Sequence, residues 1–480
     1  MALHVSLIGR KDLSGEIFRQ LRAAIRAGRL RPGDRLPPSR ELASSLDVAR
    51  MTVTVAYERL ASEGYLTARV GAGTYVSAKF PPLAIRAGRH ATAAGLSPRR
   101  IWDELNAAPA LSQPTFARTA RFDFRSGAVD ASLFPSEIWR RLLRRQLRAD
   151  SIGTGAYGAA AGQANLRVAI ARQLALSRGV QGSAEDVTVT NGTQQALDLT
   201  ARVLLEPGDR VAVESPGYAP ARLLFASLGL RVEGIPVDAE GLVVGAIPKD
   251  TRLVYVTPSH QYPLGVAMSL QRRIALSQWA DRHKAAILED DYDSEFRFRD
   301  RPIEPLQTLN AAQVIYVGSF SKTTLPTLRL GFVLTPPSLT AAVRAAKFVA
   351  DWHSPLPLQG AMARFLDDGH FARHVRRMRA VYQERHDLLT NILAREFKEF
   401  RAIPTVAGLH VSAVTDVSER RLDETVARAA KIGIAIHPLS RFRASREPIP
   451  NGLVFGYGAI AVDRIEQGLR ILRRCFEESR

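Results

Sequence analysis

From about residue 121 onward, β-rich runs and helical patterns take turns along the chain. Residues 166–177 read as a helix, 187–190 as a strand, 194–205 as a helix, 210–213 as a strand and 219–228 as a helix. Residues 253–256, 286–288 and 314–317 read as further strands, with a helix over 270–283. Such alternation leaves one broad solution, an α/β fold with a mostly parallel central sheet. Open sheets of this kind bind ligands beyond the carboxyl ends of their strands. The residues that follow each strand are therefore the ones to read for chemistry.

After the strand 314–317 come Ser319, Phe320, Ser321 and Lys322, then a loop to Arg329. A lysine closed in by apolar chain loses its proton more easily and becomes a nucleophile toward carbonyls. The nearby hydroxyls of Ser319 and Ser321, with Arg329, suit a phosphate. A surface lysine in a Ser/Thr loop is the plainer alternative. After Thr190, Asn191-Gly192-Thr193-Gln194 opens a helix, where free N–H groups make a phosphate seat. Gly-Thr also caps ordinary helices. After the strand 210–213 comes Tyr218, which suits either the core or the face of a flat ring. After Leu288 come Glu289, Asp290, Asp291, Tyr292 and Asp293. Acids directly after a buried strand are costly without a partner. The run is a solvated turn, a metal site, or the partner of a protonated pyridine nitrogen. No matching histidine spacing supports a metal, so none is expected.

The N-terminal 79 residues have a different pattern. Leu13, Ile17, Leu21, Ala24 and Ile25 fall at helical spacing, with Arg19, Arg22 and Arg26 on the wet side and Gly28 placed to end the helix. Pro37-Pro38 leads into a short helix with Ser39 as the expected N-cap. A second short helix from about Arg50 completes a helix-turn-helix. It would present Arg50, Thr52, Thr54 and Tyr57 where a recognition helix meets base edges and phosphates. The glycines of residues 67–76 permit a hairpin, a wing with Arg69 at its shoulder. The whole chain has a net charge of +19, and residues 1–79 hold 13 Lys/Arg against 7 Asp/Glu. That balance points to a polyanion partner, with genome bias or solubility as the plain alternative.

Residues 80–120, rich in Pro, Ala, Gly and Arg, read as a linker, with a helical turn over 101–105. The single Cys475 permits no intramolecular disulfide and fits a reducing compartment. No signal peptide and no membrane span are expected, so the protein reads as cytoplasmic.

Two resemblances follow from these residues. Residues 36–43, Thr52-Val53, Ala56-Tyr57, Leu60, 63–66 and 71–76 resemble the GntR type of winged-helix DNA-binding domain. The resemblance implies a double-stranded DNA operator, with Arg40, Arg50 and Gly71 at the DNA. Ala49 replaces the family's usual capping serine. Residues 121–480 resemble the fold-type I aminotransferases, a central mostly parallel sheet followed by a smaller C-terminal α+β part. That implies pyridoxal phosphate (PLP). Lys322 would form the Schiff base, Asp290 would pair with the pyridine nitrogen and Tyr292 with the ring hydroxyl. Tyr218 would stack on the ring. Gly192, Thr193, Gln194, Ser319, Ser321 and Arg329 would hold the phosphate, and Tyr157 would reach the phosphate of the other subunit.

Two departures matter. Tyr262 stands where the enzymes have asparagine, and Val454 or its neighbour stands where they have the arginine that clamps the substrate carboxylate. By position, Arg222 or His260 could substitute for that clamp. The whole arrangement, together with the wording of residues 259–263 and 290–297, resembles the MocR family of transcriptional regulators. It implies a homodimer in which PLP, alone or with a small amino compound, shifts DNA binding through aldimine chemistry at Lys322. The alternatives are an active aminotransferase with an appended DNA-binding domain, and a repressor whose large domain is a dimerisation scaffold.

Overall fold

The computed structural model describes residues 7, 12–69, 73–77, 97–108, 120–148, 155–298, 303–405, 407–444 and 448–479. The chain divides into two compact units, Met1–Ser97 and Pro98–Arg480.

In the first unit, α1 (Leu13–Arg26), α2 (Ser39–Ser45) and α3 (Arg50–Ser62) precede a hairpin of β1 (Leu66–Arg69) and β2 (Gly73–Val76). The helical spacing of Ile17, Leu21 and Ile25 buries one face of α1 against Val53, Ala56 and Leu60 of α3. Asp12 caps α1 by accepting from the Gly15 N–H at 3.2 Å. The hairpin is antiparallel, running from the Leu66–Val76 pair to the Arg69–Gly73 pair. Gly71 lies outside the described residues. Ser39 is not the N-cap of α2. The helix already includes it, behind Pro38, and no side chain caps the start. The Ser39 hydroxyl instead accepts from Arg50 Nε at 3.4 Å and so links α2 to α3. Behind Ala49, α3 also starts without a side-chain cap.

The second unit opens with α4 (Arg100–Asn106), the helical turn expected within 80–120, and continues through β3 (Phe122–Asp123) and α5 (Ser136–Gln146). Its centre is an eight-stranded sheet. The strands are β4 (Val187–Thr190), β5 (Arg210–Ser215), β6 (Arg231–Asp238), β7 (Gly241–Leu242), β8 (Thr251–Val256), β9 (Ala286–Asp291), β10 (Val314–Ser319) and β11 (Gly331–Leu334). Across the sheet they run β4-β11-β10-β9-β8-β5-β6-β7. The five strands from β10 to β6 are parallel, and β11 and β7 run against their neighbours. Because β9 continues through Asp291, Glu289, Asp290 and Asp291 lie in the strand, and only Tyr292 and Asp293 follow it. Strands β6, β7 and β11 add to those expected.

Helices between the strands cover both faces, among them α6 (Ala164–Arg178), α7 (Thr193–Leu204), α8 (Ala219–Ser227), α9 (Leu270–His283) and α10 (Leu306–Leu309). After the sheet come α11 (Pro337–Asp351), α12 (Leu356–Asp367) and the long α13 (His370–Glu396). The smaller part follows. It comprises β12 (Arg401–Ala402), β13 (His410–Val414), α14 (Glu419–Lys431), β14 (Ile434–Ala435), β15 (His437–Pro438), β16 (Gly452–Gly456) and α15 (Val462–Glu477). Four of these strands form an antiparallel sheet in the order β12-β13-β16-β15. The distant β3 pairs in parallel with β14, so the chain enters the smaller part before it builds the large sheet. Among the described residues no helix is long and apolar enough to cross a membrane.

Candidate functional site

The parallel strands end along one edge of the sheet, and the expected residues gather there. Lys322 lies in the turn after β10, with its amine donating to the Gly127 carbonyl at 2.6 Å. Burial pushes its pKa down, and Asp293 and Asp290 oppose that shift. Gly127 reaches this place because β3 anchors the preceding segment in the smaller part. At the far end of β16, a Cβ on Gly456 would sit 2.2 Å from the Arg125 carbonyl, so only glycine lets the two backbones meet.

Asp290 is buried near the end of β9. One carboxylate oxygen, Oδ2, accepts from the Tyr255 hydroxyl at 2.8 Å, and the other, Oδ1, is buried with no partner among the described residues. Burial raises its pKa to about 7, although the Tyr255 bond opposes this. Tyr218 follows β5, near enough for Asp290 and Arg329 to act on its hydroxyl. The Tyr292 hydroxyl donates to the His260 carbonyl at 3.0 Å and lies 3.0 Å from His260 Nδ1. Tyr262 bonds Ser126 through its hydroxyl at 2.7 Å, and burial pushes its pKa up to about 12.

The phosphate-seat residues meet at the start of α7. Gly192 has φ +80, and a Cβ there would lie 2.9 Å from Arg329 Nη2. Arg329 Nη2 donates to the Asn191 carbonyl at 2.7 Å. The Ser319 hydroxyl accepts from the Ser321 N–H at 3.1 Å, and Gln194 Nε2 donates to the Pro220 carbonyl at 3.0 Å. Thr193 is the first residue of α7. Behind this seat, Lys347 Nζ is fully buried and donates to Asp351 at 2.6 Å and to Gln195 at 2.9 Å. Asn191 and Gln195 also donate to Asp351, at 2.6 and 2.8 Å.

Of the other expected residues, Tyr57 meets a different geometry. Tyr157 is 76% exposed, with its ring 4.1 Å from that of Trp352, and does not join its own chain's site. In the first unit Arg40, Arg50 and Arg69 are exposed, and Thr52 and Thr54 are partly so, with the Thr54 hydroxyl donating to the Arg50 carbonyl. Tyr57, expected at the DNA surface, is instead turned inward: it is 8% exposed and its hydroxyl donates to the Pro37 carbonyl at 2.9 Å. Its ring completes the apolar face of α3. Met51, at 69% exposure near the start of α3, offers a contact the sequence reading missed.

Sequence reasoning also missed Tyr255, Ser126, Gly127 and the buried group of His260, Asp293 and His410. His260 Nδ1 lies 2.9 Å from Asp293 Oδ2, and His410 Nε2 lies 2.8 Å from the Pro263 carbonyl. The three ligand-type atoms lie within 4.8 Å of one another. Their protein partners already use two of the ring nitrogens. At the position of the carboxylate clamp, Val454 is fully buried among apolar side chains. Arg222 has a buried Nε with no partner among the described residues, and burial lowers its pKa.

Comparison with known proteins is consistent with both units. The family model for aminotransferase class I and II matches residues 123–446, and that for bacterial regulatory proteins of the gntR family matches residues 13–76. The probable rhizopine catabolism regulatory protein MocR of Rhizobium meliloti is 37% identical over 474 residues, 96% of this chain and 93% of that protein. The pyridoxine biosynthesis transcriptional regulator PdxR of Corynebacterium glutamicum is 30% identical, covering 92% of this chain and 91% of its own. Among solved structures, the α-aminoadipate aminotransferase LysN of Thermus thermophilus, complexed with N-(5'-phosphopyridoxyl)-L-leucine, superposes with a TM-score of 0.69 at 29% identity. That match covers 80% of this chain and 98% of LysN.

Proposed function

The chain belongs to the MocR-type regulators, a gntR-family winged helix followed by an aminotransferase class I and II domain, and on that premise we propose that it is a transcriptional regulator that senses PLP, alone or with an amino compound, at Lys322. The observation that carries this reading is the buried Oδ1 of Asp290, without a partner among the described residues, near a half-buried lysine of lowered pKa. A buried acceptor left open costs free energy unless a donor comes to meet it. A pyridinium N–H is such a donor, so the residues fit the cofactor.

When bound, PLP supplies an aldehyde that condenses reversibly with primary amines and a ring that draws electrons. The protein's share is to hold and orient it. Asp290 would accept the ring N–H. Tyr218 would cover the ring, and Tyr292 would turn its one hydroxyl proton from the His260 carbonyl to the ring hydroxyl. The N–H groups at the start of α7, with Arg329, would hold the phosphate. Lys322 has Gly127 to orient its amine, and burial favours the uncharged, nucleophilic form.

The apolar Val454 favours sensing over turnover. Without a guanidinium at that position, an amino acid's carboxylate loses its bidentate partner. We assign Tyr157 to the partner's site in a homodimer. Its exposed ring stands beside Trp352, and Phe348 and Val349 of the same segment are 51% and 83% exposed. An exposed apolar patch of this kind marks an interface. The output is double-stranded DNA, met in the cytoplasm by Arg40, Arg50, Thr52, Thr54 and Arg69.

Full-length protein should bind a duplex from the region upstream of its own gene. PLP with an effective amine should change that affinity by about 5–150-fold, the usual range of allosteric coupling. Lys322→Ala should lose both this response and the visible absorption of the bound cofactor. Affinity and footprint that stay fixed across a panel of amines and amino acids would overturn the sensor reading.

A further inference from the structure

The charge of the chain is not confined to the winged helix. Residues 1–79 carry +6 of the net +19, which leaves +13 for the rest. Some exposed arginines of the second unit stand beside acids, as Arg172 does with Asp367, Arg202 with Asp198 and Arg470 with Glu466. Others, such as Arg252, Arg401 and Arg420, have no acidic partner among the described residues, and helix α5 gathers several of this second kind. Its sequence, with Leu147 and Arg148 after it, places Arg140, Arg141, Arg144, Arg145 and Arg148 on the exposed side. Arg140 pairs with Glu137. The other four have no acidic partner among the described residues. On the helix Arg141 and Arg145 sit four residues apart, about 6 Å along the axis, with Arg144 beside them and Arg148 just past the end. Together with Glu137 these arginines line an open depression of about 460 Å³.

Packing alone does not explain this face. Like charges four apart on a helix repel. The helix dipole favours cations in the last turn, but here they run back to Arg140. The opposite face is fixed in the core: Trp139 and Leu142 are buried, and the Trp139 ring meets Phe134 and Phe365 edge-on. With no apolar side to offer, α5 cannot lie in a lipid interface. What remains is a ladder of guanidinium groups suited to a regular polyanion.

We infer that the arginine face of α5 is a second DNA-contact surface, one that binds the phosphate backbone of the duplex that the winged helix reads. This rests on the regulator reading above. The contact adds affinity and salt dependence without sequence preference, because phosphates carry no base information. It also makes the large unit part of the DNA-binding footprint.

The test is binding of PLP-loaded full-length protein to a long duplex from upstream of its own gene, measured across a salt series. Compared with wild type, a variant with Arg141→Gln, Arg144→Gln, Arg145→Gln and Arg148→Gln should bind more weakly. Its plot of log affinity against log salt should be shallower by about 0.9 for each phosphate that is no longer neutralised. The matching Arg→Lys variant should keep the wild-type slope, since a phosphate accepts either cation. Unchanged slope and affinity in the Gln variant would overturn the inference and leave the face to solvent or to an acidic protein. Equal loss in the Gln and Lys variants would overturn it too, because charge would then not be the cause. A wild-type chain that binds no duplex at any salt would instead sink the regulator reading itself.

Discussion

Burial favours the protonated form of Asp290 over a range in which an exposed aspartate is ionised. Its pKa rises from 3.8 to about 7 because burial penalises the charged form. Between those values the folded chain carries more protons than the unfolded one, so stability falls as pH rises through the window and levels off above it. Glu214 and Glu289, each raised to about 7 by burial, act in the same direction. In the cofactor-free protein Asp290→Asn should therefore flatten the loss of stability between about pH 4 and about pH 7. Urea midpoints at the two ends of the window measure it, and a slope equal to wild type would count against an Asp290 that is protonated when alone. The sequence made Asp290 and Lys322 legible because each follows or ends a strong apolar run. Their helpers were not legible. Tyr255 looks like one more apolar strand residue, and its hydroxyl gains meaning only when β8 and β9 pair side by side. Gly127 is 195 residues from Lys322, and no local pattern links them.

Strands and helices were readable where both faces of a strand are buried. The sequences of β8 and β10 contain nearly continuous apolar runs, β4 alternates valine with β-branched threonine, and all three strands lie where expected. Strand β6 carries Arg231, Glu233, Gly234 and Pro236, and most of its residues are exposed or half-buried near the sheet edge. Such a strand has no strong period to find. Strand β11 has four residues and follows the Arg329 loop directly, so its apolar content merged with the loop. Between elements, the main tie behind the phosphate seat is the Lys347–Asp351 pair, which joins α11 to α7 through Gln195. Lys347→Met removes one partner and leaves Asp351 facing Asn191 and Gln195 with its charge uncompensated. Asp351 is 27% exposed and keeps those two donors, so the expected cost is about 1–3 kcal/mol, below that of a fully buried pair. Denaturant titration measures it, and a loss below about 1 kcal/mol, the worth of an exposed pair, would mean the network is a surface one.

Each unit has its own core. The apolar cluster of α1–α3 and the hairpin draws on residues up to Val76, and the clusters of the second unit begin at Phe122. Calorimetry of the full chain should therefore show two transitions. Saturating PLP should raise only the one belonging to the larger unit, by mass action on its folded state. A single transition that moves as a whole would show the units to be energetically one. Beside Asp290 on β9 stands Asp291, and successive residues of a strand face opposite ways. Asp291 meets Arg178 at 2.9 Å and accepts from the Tyr316 hydroxyl, with both charged groups nearly fully buried. The strand thus carries one carboxylate paired with a cation and, beside it, one whose described hydrogen bond comes from a neutral hydroxyl. A receptor must endure long periods without its signal, and here the wait costs one protonated acid while the framework's own charges stay balanced. Waiting is then a folded state with its own pH signature, and from it the protein can answer as soon as the signal arrives.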